Sequence, residues 1–376
     1  DITLPDSYEP LVFKGTLKSL DSNSPKSITV NINRPDDEKP VGLFTYVAGN
    51  VKISDIIIRG NIIGNSIVGG LAGETGASDD NISGGSSFTN IKNEANVEGV
   101  NYVGGIFGQS WNYGSWIGII TVSDLHNSGN ITAIGDTETT NTSITGYAGG
   151  VVGRIRADMT NCSNTGDVSG LYSGGIAGSA RKITNSFNSG NITSHTFEGT
   201  DSFGFSAGGI VSLIAVDKNI AEISNCYSIG EVKCYNGGKA NGLVGSYSLD
   251  SNVEKDIITI SNCYSTACVK HPVEIDNASQ YSAAIEELGR VGEVVYTNSF
   301  YLGASERDEL EGTTAVTPDE LKTVALGDAY SYDGAYPQLK DNLSVAEVEF
   351  VELDISSGDF GSFEMEGKLY IASGES

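Results

Sequence analysis

The sequence predicts an all-β chain: a right-handed parallel β-helix, or β-solenoid, of about eight rungs, with loops inserted at its edges and a short capping helix near the C-terminus. Three observations carry that expectation. One five-position pattern recurs eight times along the chain. The apolar stretches inside it are short, β-branched and bounded by Gly and Asn, so they read as strands and not helices. The shortest copy spans only 24 residues, from Asn161 to Asn185. A unit of that size cannot bury its own apolar face and needs neighbours stacked on it.

The pattern is anchored on Asp55, Asn90, Asp124, Asn161, Asn185, Asn225, Asn262 and Asn298. Ser or Thr precedes every anchor, and an apolar residue precedes that, from Ile53 to Tyr296. Five positions after the anchor stands Gly or Ala: Gly60, Ala95, Gly129, Gly166, Gly190, Gly230, Ala267 and Gly303. Seven after stands a β-branched residue, from Ile62 to Val269; the last copy breaks there with Ser305. Stacked strands lie about 4.8 Å apart, so like residues sit above like. Asn tolerates a left-handed corner, and its carboxamide can bond to the Asn of adjacent rungs. Gly at offset five is expected to supply a turn of positive φ. The eight anchors are therefore read as a structural ladder and not as a ligand site.

The chain divides into three parts. Residues 1–40, with "SITVNINRP", read as a lead-in or cap of strands. Residues 41–340 hold the repeats and end in "TPDELKTVALG" (317–327), where Thr317 and Glu320 make a capping box, Pro318 opens a helix and Gly327 closes it. Residues 341–376 read as a small acidic β extension, or the start of a further domain. In it "SVAEVEFVELDI" alternates and can pair with "GKLYIASGES".

A Gly-Gly element precedes most copies: "VGGLAG" (68–73), "VGGIFG" (103–108), "AGGVVG" (148–153), "SGGIAG" (173–178), "AGGIVS" (207–212) and "NGLVG" (241–245). These segments resemble the GLUG motif over roughly residues 40 to 340. "NCYSIGEV" and "NCYSTACV" match the tails of such repeats. The resemblance implies a secreted or surface-attached bacterial protein of adhesin-like type. It also extends to regions of some IgA-cleaving peptidases, in which catalysis resides in other domains. It is specific for repeat architecture and weak for activity.

Anchor spacings of 24 to 40 residues locate the inserted loops, the places where solenoids often meet partners. "QSWNYGSWIG" (109–118) carries Trp111, Tyr113 and Trp116, and "HTFEGTDSFGF" (195–205) carries Phe197, Phe203 and Phe205. Loop aromatics among Asn and Gln suit stacking on sugars or contact with a protein, and equally suit packing down over the rung below. "GETGASDDNISGG" (73–85) offers Glu74, Asp79 and Asp80 as oxygen donors for calcium, although its spacing is not that of an EF-hand and a solvated turn accounts for it as well. No other cofactor is expected.

Charge narrows the partners. The net charge is −26. Residues 271–376 hold 22 Asp/Glu against 5 Lys/Arg, a net of −17, which leaves −9 for the first 270 residues. Nucleic acid and anionic membrane are poor partners for such a surface. No apolar run approaches the roughly 18 residues of a membrane span, so no insertion is expected. Cys162, Cys226 and Cys263 each follow an anchor and read as small core residues.

No catalytic residue is assigned. The three histidines, His126, His195 and His271, lie in or beside different rungs, and no metalloprotease, nucleophile-elbow or phosphate-loop spacing occurs. The expectation is a non-catalytic, extracellular or surface-attached monomer that binds glycan or host or matrix protein through its edge loops. A structural stalk is the alternative. A polysaccharide lyase or glycosidase is the enzymatic alternative, for which Arg154, Arg156, Arg181 and Lys182 would supply a basic patch.

Overall fold

The computed structural model describes residues 1–47, 50–76, 85–110, 120–135, 146–195, 205–215, 220–235, 238–248, 257–267, 269–270, 293–302, 312–334, 336–342, 350–355 and 367–372. The minimal rung is described without interruption. Strands Met159–Thr160 and Ser163–Asn164 flank the Asn161 corner and are followed by Val168–Gly170, Tyr172–Gly174 and Ala177–Ala180. The next rung then opens with Lys182–Asn188.

Stacking these rungs produces three parallel sheets. Among the described residues the first has 21 strands and contains both the anchor strands and the offset-seven strands. The second has 6 strands, five ending on the first glycine of a Gly-Gly pair and the sixth on Asn241, and the third has 8. Insertions do not disturb the register. Asn127 faces Asn164 and Asn164 faces Asn188, although 37 residues separate the first pair and 24 the second. The chain is thus a parallel β-solenoid, as the repeat predicts.

The interior is filled by columns. Ile53, Phe88, Val122, Met159, Ile183, Ile223 and Ile260 lie one above another, each at most 2% exposed. Cys162, Cys226 and Cys263 are buried free thiols in a neighbouring column, with Ser186 between the first two. The lead-in joins the stack: Lys26–Arg34 pairs along Ile56 to Gly64 in the first sheet, and Leu11–Phe13 pairs with the third.

All eight anchors have positive φ, between 48° and 59°. Their side chains bond between rungs, as from Asn90 Nδ2 to Asp55 Oδ1 (2.8 Å) and from Asn225 Nδ2 to Asn185 Oδ1 (3.0 Å). Asp124 accepts from Asn161 but has no N–H with which to continue the ladder to Asn90.

The glycines at offset five depart from expectation. Gly60 has positive φ, at 110°, whereas Gly129, Gly166, Gly190 and Gly230 do not. They are required by close approach. A Cβ on any of these four would lie 1.9 to 2.2 Å from the main-chain oxygen of its counterpart in the preceding rung.

A second Asn ladder explains much of the remaining pattern. Asn93, Asn127, Asn164 and Asn188 lie three residues after successive anchors and are buried. Asn93 Nδ2 donates to Asn127 Oδ1 (2.7 Å), Asn127 to Asn164 (2.7 Å) and Asn164 to Asn188 (2.8 Å). Each also donates to the main-chain oxygen two residues on. The ladder begins at Asn93, whose Oδ1 lacks a partner because Ile58 occupies the preceding rung.

Near the C-terminus the expected helix over 317–327 is shorter. Pro318–Leu321 is helical and carries the Thr317–Glu320 capping box, and Lys322 ends it. Gly327, at φ 94°, instead lets the chain double back. Strand Thr313–Val316 extends the first sheet beyond Ser299–Leu302. The segment after the helix runs along the flank as a strap, with Leu326, Tyr330, Tyr336 and Leu339 packed on Phe187, Tyr227 and Tyr264. Tyr330 OH donates to Asn262 O (2.8 Å), Tyr264 OH to Pro337 O, and Asn342 Nδ2 to Cys162 O (2.9 Å) and Asn185 O (3.0 Å). Beyond it, Phe350–Ile355 and Gly367–Ala372 form the expected antiparallel pair. No helix among the described residues is long and apolar enough to cross a membrane.

Candidate functional site

The register of the third sheet assembles four chemically distinct side chains from successive rungs. Tyr46 pairs with Glu74, Glu74 with Gln109, and Gln109 with Arg154. Strand pairing sets these residues about 4.8 Å apart along the stack. Tyr46, Glu74 and Arg154 are half-buried, while Gln109 is 1% exposed. From the adjoining sheet, the half-buried Tyr102 accepts a hydrogen bond from Arg154 Nη1 at 3.2 Å, and the guanidinium lies 5.6 Å from that ring's centroid.

Tyr102 opens an aromatic column. Its ring stacks on Tyr147 (5.4 Å, 17°), Tyr147 stacks on Tyr172 (4.8 Å, 17°), and Phe205 meets Tyr172 edge-on (5.6 Å, 76°). Burial raises the Tyr147 phenol well above its ordinary value and pushes Tyr172 up to about 12. Burial also raises the Glu74 carboxyl, and raises Tyr46 with help from the Glu74 charge.

Two acceptors on the third-sheet column stand without partners. Glu74 makes no hydrogen bond or ion pair among the described residues, and Gln109 Oε1 is buried with none. A buried polar atom without a partner costs free energy, so Gln109 Oε1 requires an explanation, whereas the half-buried Glu74 carboxylate is open to water. Among the described residues no group of three or more His, Cys, Asp or Glu could hold a metal ion, and Asp79 and Asp80 lie outside them.

Other expected site residues fall as follows. Trp111, Tyr113, Trp116, Phe197 and Phe203 lie outside the described residues. Phe205 is 6% exposed and packs against Tyr172 at the end of the tyrosine column. Arg154 engages Tyr102, Arg181 pairs with Asp158, Lys182 pairs with Glu222 at 2.8 Å, and Arg156 stands exposed. His126 shares a hydrogen bond with Ser163 Oγ at 2.7 Å and His195 one with Ser169 Oγ at 3.3 Å, in different rungs. Burial lowers both histidines, with Lys92 adding to the effect at His126.

Sequence reasoning missed both aromatic columns, although each leaves a signal. Tyr102, Tyr147 and Tyr172 each stand two residues before a Gly-Gly pair. Phe187, Tyr227, Tyr264 and Phe300 each stand two residues after an anchor.

Residues 144–169 match the family model of the GLUG motif. The chain carries a GLUG motif. The matched segment contains the Tyr147–Gly149 strand, the Gly-Gly corner and the Val152–Arg154 strand, and so includes Arg154 of the candidate site. Structure gives each glycine of that GLUG pair its own reason. A Cβ on Gly149 would lie 2.0 Å from Val152 O, where the strands on either side of the corner come together. A Cβ on Gly150 would lie 2.2 Å from Gly175 O and 2.4 Å from Asn164 Cγ, in the space taken by the buried ladder. GLUG motifs occur in extracellular and surface-type repeat proteins. No curated protein and no solved structure matches the chain significantly.

The buried groups around this GLUG segment imply an alkaline limit. Burial pushes the Cys162 thiol up to about 12 from 9.0, and Tyr172 up to about 12 from 10.0. Both raised groups favour the neutral form in the folded chain. Their contribution is complete below the unfolded values and is lost as pH climbs through the folded ones. Denaturant midpoints should hold to about pH 9 and fall between there and about pH 12. A midpoint unchanged across that window would contradict this assignment.

Proposed function

We propose that this chain is a non-catalytic module of an extracellular or surface-displayed protein that binds carbohydrate through the flank formed by Tyr46, Glu74, Gln109, Arg154 and Tyr102. The observation that carries this reading is the column of a half-buried aromatic ring, carboxylate and guanidinium, with the buried Gln109 carboxamide among them, on consecutive rungs. Sugars are recognised by this combination: rings for their C–H faces and planar polar groups for their hydroxyls. The solenoid holds these side chains on strands, so little ordering is required on binding. The GLUG setting agrees with an adhesin-like role outside the cell.

The test is a glycan array probed with the wild-type chain and with Arg154→Ala. The expected result is binding to a restricted set of glycans, weakened about tenfold or more by the substitution while the melting curve stays within a few degrees. Binding to no glycan would favour the structural spacer instead. Release of reducing ends or unsaturated products from a bound polysaccharide would overturn the non-catalytic assignment.

A further inference from the structure

We infer that Asn130 and Asn191 are acceptors for an N-linked sugar, attached through Nδ2. The inference does not depend on the Tyr46–Arg154 column and shares with the reading above only the extracellular placement.

The segment "NSGNIT" occurs twice, at 127–132 and 188–193. Each copy ends in Asn-x-Thr, the pattern that N-glycosylating transferases accept. Seven Asn-x-Ser/Thr segments occur in the chain, so the tripeptide alone selects nothing. Three of them, at Asn81, Asn141 and Asn277, lie outside the described residues. The other four differ in what their carboxamides do.

A sugar fits the folded chain only where the Asn reaches solvent and its Nδ2 has no other task. Asn130 and Asn191 are both exposed. Asn130 Oδ1 accepts from Asp167 N (3.2 Å), and Asn191 Oδ1 accepts from Glu231 N (3.1 Å). Each bond holds the carboxamide oxygen toward the next rung and leaves Nδ2 as the free end. Neither Nδ2 makes a hydrogen bond among the described residues. Asn161 and Asn342 are the contrary cases. Asn161 Nδ2 donates to Asp124 Oδ1 at 3.3 Å in the anchor ladder, and its Oδ1 is buried. Asn342 is 6% exposed and its Nδ2 donates to both Cys162 O and Asn185 O. A sugar there would replace one of those hydrogens and lift the strap off the rungs.

The strands also fix when the sugar is added. Thr132 and Thr193 share the outer face with their Asn, while Ile131 and Ile192 point into the core. Ile131 pairs with Val97 and Val168, and Ile192 with Val168 and Val232. A transferase cannot draw in a strand paired on both sides, so transfer precedes closure of the rungs, during export. In that step Nδ2 attacks the anomeric carbon of a sugar carried on a nucleotide or polyprenyl diphosphate. The N–C bond forms, the C–O bond to the carrier breaks, the carrier leaves with both phosphates, and Nδ2 gives up one proton. Folding then sets the two sugars on the first sheet with Asp167 between them, two rungs or roughly 10 Å apart. The flank proposed above belongs to the third sheet and stays uncovered.

Peptide mass spectrometry on the chain recovered from the medium or surface of its producing cells tests this. Peptides holding Asn130 and Asn191 should carry the added mass of a sugar, and those holding Asn161 and Asn342 should not. Thr132→Val and Thr193→Val keep a β-branched side chain of the same shape, and each should abolish the sugar on its own Asn. Thr132→Ser and Thr193→Ser should retain it. Chain recovered outside the cell with neither Asn130 nor Asn191 modified would overturn the inference and leave the extracellular placement standing. Sugar on Asn161 or Asn342, or sugar that survives the Val substitutions, would overturn it as well. Unmodified chain confined to the cytosol would overturn both.

Discussion

Asn164→Ala should destabilise the solenoid by about 3 kcal/mol, because it removes three hydrogen bonds of roughly 1 kcal/mol each from a buried position. Asn164 accepts from Asn127 and donates to Asn188 and to Gly166 O, so the loss falls in the middle of a polarised row. A change of that size is a large fraction of the net stability of an ordinary domain. Asn164→Asp should be worse, since a carboxylate there would be buried and unable to donate to either partner. The exposed residue Asn130 provides the comparison. Its Oδ1 accepts from Asp167 N at 3.2 Å in water's reach, so Asn130→Ala should cost about 0.5 kcal/mol. Urea denaturation of the three variants decides the matter. Equal midpoints for Asn164→Ala and Asn130→Ala would mean the buried ladder contributes nothing special.

Gly150→Ala should be at least as damaging, by about 3 kcal/mol, and for a reason unrelated to backbone freedom. Gly150 does not have positive φ, so alanine is conformationally acceptable there. The obstacle is space. The added methyl would lie 2.2 Å from Gly175 O and 2.4 Å from Asn164 Cγ, and the first of these is main chain in the next rung, which cannot move alone. Gly334→Ala is the control: its nearest neighbour would be 3.4 Å from the new methyl, and it should be neutral or slightly stabilising. A melting temperature for Gly150→Ala within two degrees of wild type would contradict the close-packing account. Asn164 and Gly150 also occupy one volume. Their double variant should therefore cost less than the sum of the singles, because Asn164→Ala vacates part of the space that the new methyl needs.

These two sites show how the repeat was read and where the reading stopped. The anchors were legible because their chemistry is local: Asn and Asp tolerate the left-handed corner, and all eight adopt it. The positive φ expected at offset five holds at Gly60 but not at Gly129, Gly166, Gly190 and Gly230, since a sequence shows that a side chain is excluded but not which atom excludes it. Gly166 lacks one because Gly129 O of the previous rung lies against it. The buried Asn ladder was present as Asn-x-Gly after three successive anchors and went unseen beside the more regular anchor column. Residues 317–327 satisfied every local rule for a helix, yet only Pro318–Leu321 is helical. The chain beyond it is drawn onto the Phe187–Tyr227–Tyr264 stack, where Leu326, Tyr330, Tyr336 and Leu339 become buried.

The candidate site was legible only in fragments. Glu74 is legible as a calcium donor, Arg154 as part of a basic patch and Gln109 only as a polar neighbour of the loop aromatics, while Tyr46 and Tyr102 carry no sequence signal of a site. Insertions of unequal length separate these residues in the chain, so no fixed spacing links them. Periodicity, corner chemistry and glycine placement determined the solenoid, because each acts over a few residues and repeats with every rung. Which side chains meet across rungs was decided by the tertiary structure alone. Register is set by the stacking of whole rungs, and a loop of any length can leave and return without shifting it.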